Sequence, residues 1–175
     1  MHGCDEDGFT LIELLIVISI VGILASISMA LHRSARVRAG ETTAAATLQA
    51  LNQAQFAFAL ACGNQRYAPS LVSLATPMPS TGSAFVSPDL GVDPLVKSGY
   101  RFTLAGTEVT DAGLTCTGGR PVESYRITAD PVTPGLSGNR YFATNTDRVL
   151  YEDGEKTFEP DMPEKGAPTH GVEMK

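Results

Sequence analysis

The stretch Gly8-Phe9-Thr10-Leu11-Ile12-Glu13-Leu14-Leu15-Ile16-Val17-Ile18, "GFTLIELLIVI", places one carboxylate near the start of a segment otherwise apolar enough for a bilayer. From Leu14 to Leu31 the chain runs without a charge, and only Ser19, Ser26 and Ser28 are polar. As a helix those residues reach roughly 27 Å, close to the hydrocarbon thickness of a membrane. A charged acid at the centre of a spanning helix costs about 3 kcal/mol even on the lenient insertion scale. Glu13 sits nearer the edge, so its cost is smaller, yet it still needs a counterpart.

Outward from this run the chain changes character. Its 175 residues are room for one ordinary domain plus an appendage. Beyond the apolar run it is polar, rich in Gly, Pro, Ser and Thr, and mildly acidic, with 10 Lys and Arg against 14 Asp and Glu from Gly63 onward. No basic cluster occurs and there is no Trp, which argues against nucleic acid as a partner, because phosphate binding needs concentrated positive charge. The pattern is a membrane-inserted stem carrying a soluble head. Cys4 precedes the run, whereas Cys62 and Cys116 follow it and share one compartment if the run crosses a membrane. Two cysteines in an exported head read as one disulfide, for which loop closure contributes about 4 kcal/mol as an upper figure. The other reading is two free buried thiols.

Three explanations compete for residues 9–31. A cleaved secretory signal, with Ser28-Met29-Ala30 as its small-residue site, needs a basic n-region and an apolar stretch of roughly 7–15 residues. Here the n-region is acidic (Asp5, Glu6, Asp7) and the stretch is longer. A lipoprotein signal fails because Cys4 lies before the run. A plain transmembrane anchor accounts for the length and leaves Glu13 unexplained. The third explanation is a family one: Gly8 followed by Phe9-Thr10-Leu11-Ile12-Glu13-Leu14-Leu15 resembles the processing and assembly motif of type IV pilins and type II secretion pseudopilins.

The resemblance implies that an inner-membrane prepilin peptidase cuts after Gly8 and methylates the new amino terminus at Phe9. It implies that Glu13 faces the N-terminal amine of a neighbouring subunit in a helical filament. At an effective dielectric of 20, opposite charges 4 Å apart attract by about 4 kcal/mol, enough to offset burial of one carboxylate. An unpaired acid penalises a wrong register, so the same contact can set the stagger between helices. Further implied partners are an assembly ATPase, a membrane platform protein and other minor pilins or pseudopilins. Implied localisation is the bacterial inner membrane, single-pass with the head in the periplasm, then a pilus or pseudopilus. The leader departs from the family's usual pattern in lacking Lys and Arg, while Arg33, Arg36 and Arg38 flank the far end of the run.

The helix pattern continues past Arg38 through an Ala-rich, Pro-free segment, with Val37, Ala44, Leu48, Leu51, Phe58 and Cys62 at three- and four-residue steps on one face. That stripe predicts a helix laid against a sheet, stopped at Gly63-Asn64. Phe9 to Cys62 as one helix measures roughly 80 Å. Gly22 and Gly40 are candidates for local bending. In the head, Ala68–Leu74 reads as a short helix with Pro69 near its start, and 75–99 as loop. Strands are expected at Tyr100–Leu104, Ser124–Ala129, Arg140–Thr144 and Arg148–Tyr151, the last two joined by a turn at Asn145-Thr146-Asp147. The tail from Pro160 reads as irregular. The expected fold is therefore α+β: a leader (1–8), a transmembrane or filament-core helix (9–31), an amphipathic helix (32–62), and a head (63–175) with three or four antiparallel strands.

Nothing in the head reads as an enzyme. "PGLSGN" around Ser137 lacks the spacing of a nucleophile elbow and reads as a turn. His2, His32 and His170 are too scattered for a triad or a zinc site. Gly154-Glu155-Lys156 lacks the upstream glycine of a phosphate loop, and no dinucleotide fingerprint occurs, so no cofactor is expected. The acids Asp147, Glu152, Asp153 and Glu155 are the one cluster near a turn. Asp147 and Asp153 are the calcium candidates, since hard cations favour several oxygen ligands and some pseudopilins carry calcium in C-terminal loops, but the spacing matches no EF-hand. The alternative is a solvated hairpin edge. The reading is thus a structural filament subunit, with a monomeric membrane-anchored ligand-binding module as its rival and a secreted enzyme as a weaker third.

Overall fold

The computed structural model describes residues 9–174, apart from the side chains of 27–31. The leader (1–8), with Gly8 and Cys4, and the Ser28-Met29-Ala30 side chains lie outside the described residues. Helix α1 runs Leu11–Ala61. The chain divides into two compact units, Met1–Arg36 and Val37–Lys175, so α1 contributes to both.

In the first unit, from Leu14 to Ser26, the helix carries apolar side chains all round, broken only by Ser19 and Ser26, and its apolar residues are exposed: Leu11, Ile12, Leu14, Leu15, Ile16, Val17 and Ile18 are all at least 48% exposed. A helix apolar all round belongs in a core or in lipid rather than in water.

In the second unit the expected stripe is buried. Val37, Ala44, Leu48, Leu51 and Phe58 are buried, and Cys62 packs partly against them. Full burial of side chains such as Leu48, Leu51 or Phe58 contributes about 1.5–3 kcal/mol each. The sheet that receives them is a six-stranded antiparallel meander in simple order. Its strands are β1 (Leu95–Lys97), β2 (Tyr100–Glu108), β3 (Val122–Pro131), β4 (Tyr141–Asn145), β5 (Leu150–Asp153) and β6 (Val172–Glu173). Register puts Phe102 opposite Ala129 and Ala129 opposite Phe142; all three join the helix-side core, with Tyr100, Tyr125 and Ile127. The fold class is the expected α+β, with six strands in place of three or four.

Polar side chains fix the helix on this sheet, and the apolar stripe did not foretell them. Gln55, fully buried, donates its Nε2 to the Ala68 carbonyl (3.0 Å) and accepts the Ala68 N–H at Oε1 (2.8 Å). Asn52 donates to Thr144 Oγ1 (2.7 Å) and accepts from the Tyr125 hydroxyl (3.0 Å). Glu41, also buried, accepts from Asn139 N–H (2.9 Å) and Arg140 Nε (3.0 Å). Arg140 also pairs with Glu152 and lies 5.4 Å from the Phe142 ring centroid. One turn-start away, Gly40 is where helix meets loop: a Cβ there would stand 2.9 Å from the Ser98 carbonyl oxygen and 3.0 Å from that of Ser137. Its role is close approach of backbones.

Three expectations need correction. The short helix is Leu71–Ala75, α2, because Ser70 caps it through Ser73 N–H, leaving Pro69 outside. Residues 75–99 are not all loop: a 3₁₀ turn spans Pro88–Leu90 and β1 follows. The helix stops where Gly63-Asn64 is expected to end it, with Asn64 (φ 50) and then Gln65 (φ 66) as the left-handed residues. The tail is more than irregular, since β6 extends the sheet and Phe158 and Met162 bury against Ala143 and Tyr151 as a second, smaller core. Side chains tie the tail down: Glu164 accepts from Thr107 and Ser124, and His170 pairs with Asp153 at the end of β5 (2.7 Å).

Candidate functional site: the N-terminal motif

Phe9 and Thr10 precede the helix. Thr10 closes its first turn twice, accepting Leu14 N–H at its carbonyl (3.2 Å) and Glu13 N–H at its hydroxyl oxygen (3.3 Å). A Thr three residues ahead of a Glu is the capping-box spacing, and it satisfies donors that a helix start otherwise leaves open. Thr10-Leu11-Ile12-Glu13 carries that signal in the sequence itself. Glu13 also places a negative charge in the first turn, which the helix dipole favours by about 0.3–1 kcal/mol.

Glu13 is exposed and forms no ion pair among the described residues. Phe9 beside it is 79% exposed. The site is thus a capped, apolar helix start with a bare carboxylate one turn in and a bare aromatic at its head. Gly8, the expected cleavage position, lies outside the described residues. Among the described residues no helix is long and apolar enough to cross a membrane. The expected span of 9–31 includes 27–31, whose side chains are not described.

At the head end of α1 the cysteines are joined: Cys62 and Cys116 form a disulfide with Cα atoms 5.1 Å apart, and Cys116 N–H donates to the Cys62 carbonyl (3.3 Å). It pins the β2–β3 loop to the end of the helix. The calcium candidates are kept apart, Asp147 in the β4–β5 turn and Asp153 at the far end of β5. Each is engaged locally: Asp147 Oδ2 accepts Gly166 N–H (2.6 Å), and Asp153 Oδ1 accepts Glu155 N–H (2.7 Å). Glu152 is taken by Arg140, and Glu155 provides only that backbone N–H. Among the described residues no three His, Cys, Asp or Glu side chains converge. Backbone hydrogen bonds and His170 hold the Asp153 carboxyl below the usual range. Ser137 sits in the expected turn, its hydroxyl bonded to the Thr133 backbone.

The prokaryotic N-terminal methylation motif, the prepilin-type cleavage and methylation signal of type IV pilins and pseudopilins, matches residues 5–29. No curated protein and no solved structure matches the chain. The matched residues contain Phe9, Thr10 and Glu13, and they run into the part of α1 that is apolar all round.

Proposed function

We propose that the chain is a structural subunit of a type IV pilus or pseudopilus, with no catalytic role. Prepilin peptidase cuts after Gly8 and methylates Phe9. Residues 9–31 hold the chain in the inner membrane, single-pass with the head in the periplasm, until an assembly ATPase and a platform protein extract it into a homo-oligomeric helical filament alongside other minor pilins or pseudopilins. There Glu13 meets the N-terminal amine of a neighbouring copy. The observation that carries this reading is the coincidence of the methylation motif with an exposed, wholly apolar helix start bearing one unpaired acid. Lipid and side chains are equally apolar, so leaving the membrane gains little hydrophobic energy and extraction needs outside work. N-terminal sequencing of the mature protein tests it: a chain beginning at a methylated Phe9 supports the reading. A chain beginning after Ala30, or retaining residues 1–8, overturns it. Glu13→Ala then separates filament subunit from monomeric anchor, since only the former loses filaments while the protein persists in the membrane.

A further inference from the structure

The second unit carries a cleft of about 420 Å³ between the outer face of α1 and the β4–β5 turn. Gln49, Asn52, Gln53 and Phe56 line one wall, Asp147 and Arg148 the other. Its size lies inside the roughly 300–1,000 Å³ typical of small-molecule sites. The floor is rigid, because Asn52 is buried and held by Tyr125 and Thr144. The rim carries polar groups with no protein partner among the described residues, open to solvent or to a ligand. Gln49 and Gln53 have no hydrogen-bond partner among the described residues, and Asp147 commits only Oδ2, to Gly166. Arg148 makes no ion pair among the described residues; its guanidinium stacks over Phe56, 4.7 Å from the ring centroid.

Arg148 also holds a left-handed backbone conformation, φ 62, which Gly or Asn adopts more readily. Asn64, Gln65 and Ser98 share that conformation in turns, so it is the Arg148 side chain over Phe56, not the backbone, that bears on a ligand. Chemistry narrows the ligand. Asp147 beside Arg148 offsets the positive charge that an anion would need, and a metal would need more converging acids than are present among the described residues. A helix face opposite a turn supplies neither a free strand edge nor a row of apolar anchors, so strand-addition and helix-in-groove peptide binding do not fit it. Donors and acceptors stand side by side: two amides, a carboxylate oxygen and a planar guanidinium. That set suits a ligand whose every group both donates and accepts, which is what a hydroxyl does.

We propose that this cleft binds a neutral saccharide, one or two units of a glycan chain, with Gln49, Gln53, Asp147 and Arg148 taking the hydroxyls and the exposed part of Phe56 lying against ring C–H groups. The assignment is independent of the filament reading, since a chain that retained residues 1–8 would bind equally. The test is saturation-transfer NMR on the full chain in a sugar-free detergent, with cellobiose, maltose and N,N′-diacetylchitobiose as probes. At least one disaccharide should show transfer with millimolar affinity. Gln49→Ala/Gln53→Ala, two exposed positions, should weaken it at least about tenfold. Arg148→Gly should weaken it as much while leaving the melting temperature unchanged or higher, since glycine suits the left-handed backbone. A merely structural arginine would lose stability instead. Absence of transfer from all three probes at about 20 mM, or equal transfer in wild type and variants, overturns the proposal.

Discussion

Replacing Glu41 by Ala should destabilise the head by about 2–3 kcal/mol, between the limits for surface and fully buried pairs. The figure follows from what the carboxylate holds. Glu41 is 5% exposed and accepts from the Asn139 N–H at 2.9 Å and from Arg140 Nε and Nη2, each at 3.0 Å. Breaking a fully buried pair costs about 3–5 kcal/mol, because the remaining charge is stranded. Arg140 is not stranded: its side chain is 42% exposed and keeps Glu152. The loss is therefore discounted towards, but not to, the roughly 0–1 kcal/mol of a surface pair, while the Asn139 N–H loses its acceptor. Burial opposes the charge on Arg140, but its hydrogen bond to Glu41, the charge of Glu41 and then Glu152 outweigh that and raise its pKa. Glu41→Gln should cost less than Ala, since an amide oxygen still accepts one of the three donors. The chain has no Trp, so fluorescence of the buried Tyr100 and Tyr125 reports unfolding of the full chain in micelles. A shift of about 5–10 °C is expected for Ala, with a coupling of at least about 1 kcal/mol in the Glu41→Ala/Arg140→Ala double-mutant cycle. A shift below 2 °C by the same scaling, or zero coupling, would refute the reasoning.

Reducing the disulfide, or Cys62→Ser with Cys116→Ser, opens a loop of 54 residues' separation and should cost about 2–4 kcal/mol, read as a lower melting temperature with dithiothreitol. Gly40→Ala should destabilise by about 1–2 kcal/mol despite a helix-propensity gain of about 1 kcal/mol, because the new methyl meets two backbone carbonyl oxygens; a rise in melting temperature would contradict this. Burial foremost, then the charge of Glu159, raises the Asp130 pKa against the opposing hydrogen bond from Thr157. A raised carboxyl means that ionised Asp130 weakens the fold at neutral pH, so Asp130→Asn should match or exceed wild-type stability at pH 7, the difference vanishing below about pH 4. Asp153 has the opposite sign: its pKa is depressed, so its contribution is present above the unfolded carboxylate value and is lost as pH falls through the lower folded value. Acid should therefore lower the protection factors of the β6 amides relative to intrinsic exchange at the same pH, and Asp153→Asn should remove that dependence.

The parts of this fold legible in the sequence are those written in local period. Steps of three and four along Val37, Ala44, Leu48, Leu51 and Phe58 located the helix face that is buried, and alternation around Tyr100–Leu104 and Ser124–Ala129 located β2 and β3. β1 was missed although its turn was signposted. Lys97 pairs with Tyr100 across Ser98-Gly99, whose φ values of 51 and 83 fit a two-residue hairpin turn, but three strand residues among prolines carry no period. β6 is shorter still. Glu41, Asn52 and Gln55 break the apolar pattern of α1 because their partners lie 98, 92 and 13 residues away, a separation no local window reports. The cleft is of the same kind, assembled from residues near 50 and near 148. The capping spacing at Thr10 is local and legible, a four-residue signal at the edge of a much longer apolar run.

Two acids on α1 give the sharpest contrast. The fold supplies Glu41 with a guanidinium and a backbone N–H, and it is buried. Glu13 receives only the hydrogen bonding of its own helix start, and it is exposed. Nor can its own helix repair this: the next Lys or Arg is Arg33, twenty residues on, or roughly 30 Å along a helix, well beyond the reach of any side chain. In water a lone carboxylate is unremarkable, but Glu13 is flanked by Leu11, Ile12, Leu14 and Leu15, surfaces that only lipid or other apolar helices can cover. Covering them raises the cost of the charge, and only a cation that arrives with the covering element can offset it. If that element is a second copy of the helix, the group it brings to this end is its amine, and only once residues 1–8 are gone. Moving the acid one turn, as Glu13→Val with Val17→Glu, keeps composition constant and shifts the pairing by about 6 Å. Filament yield should collapse while the monomer stays in the membrane fraction, and normal filaments from that variant would mean that the acid serves no pairing at all.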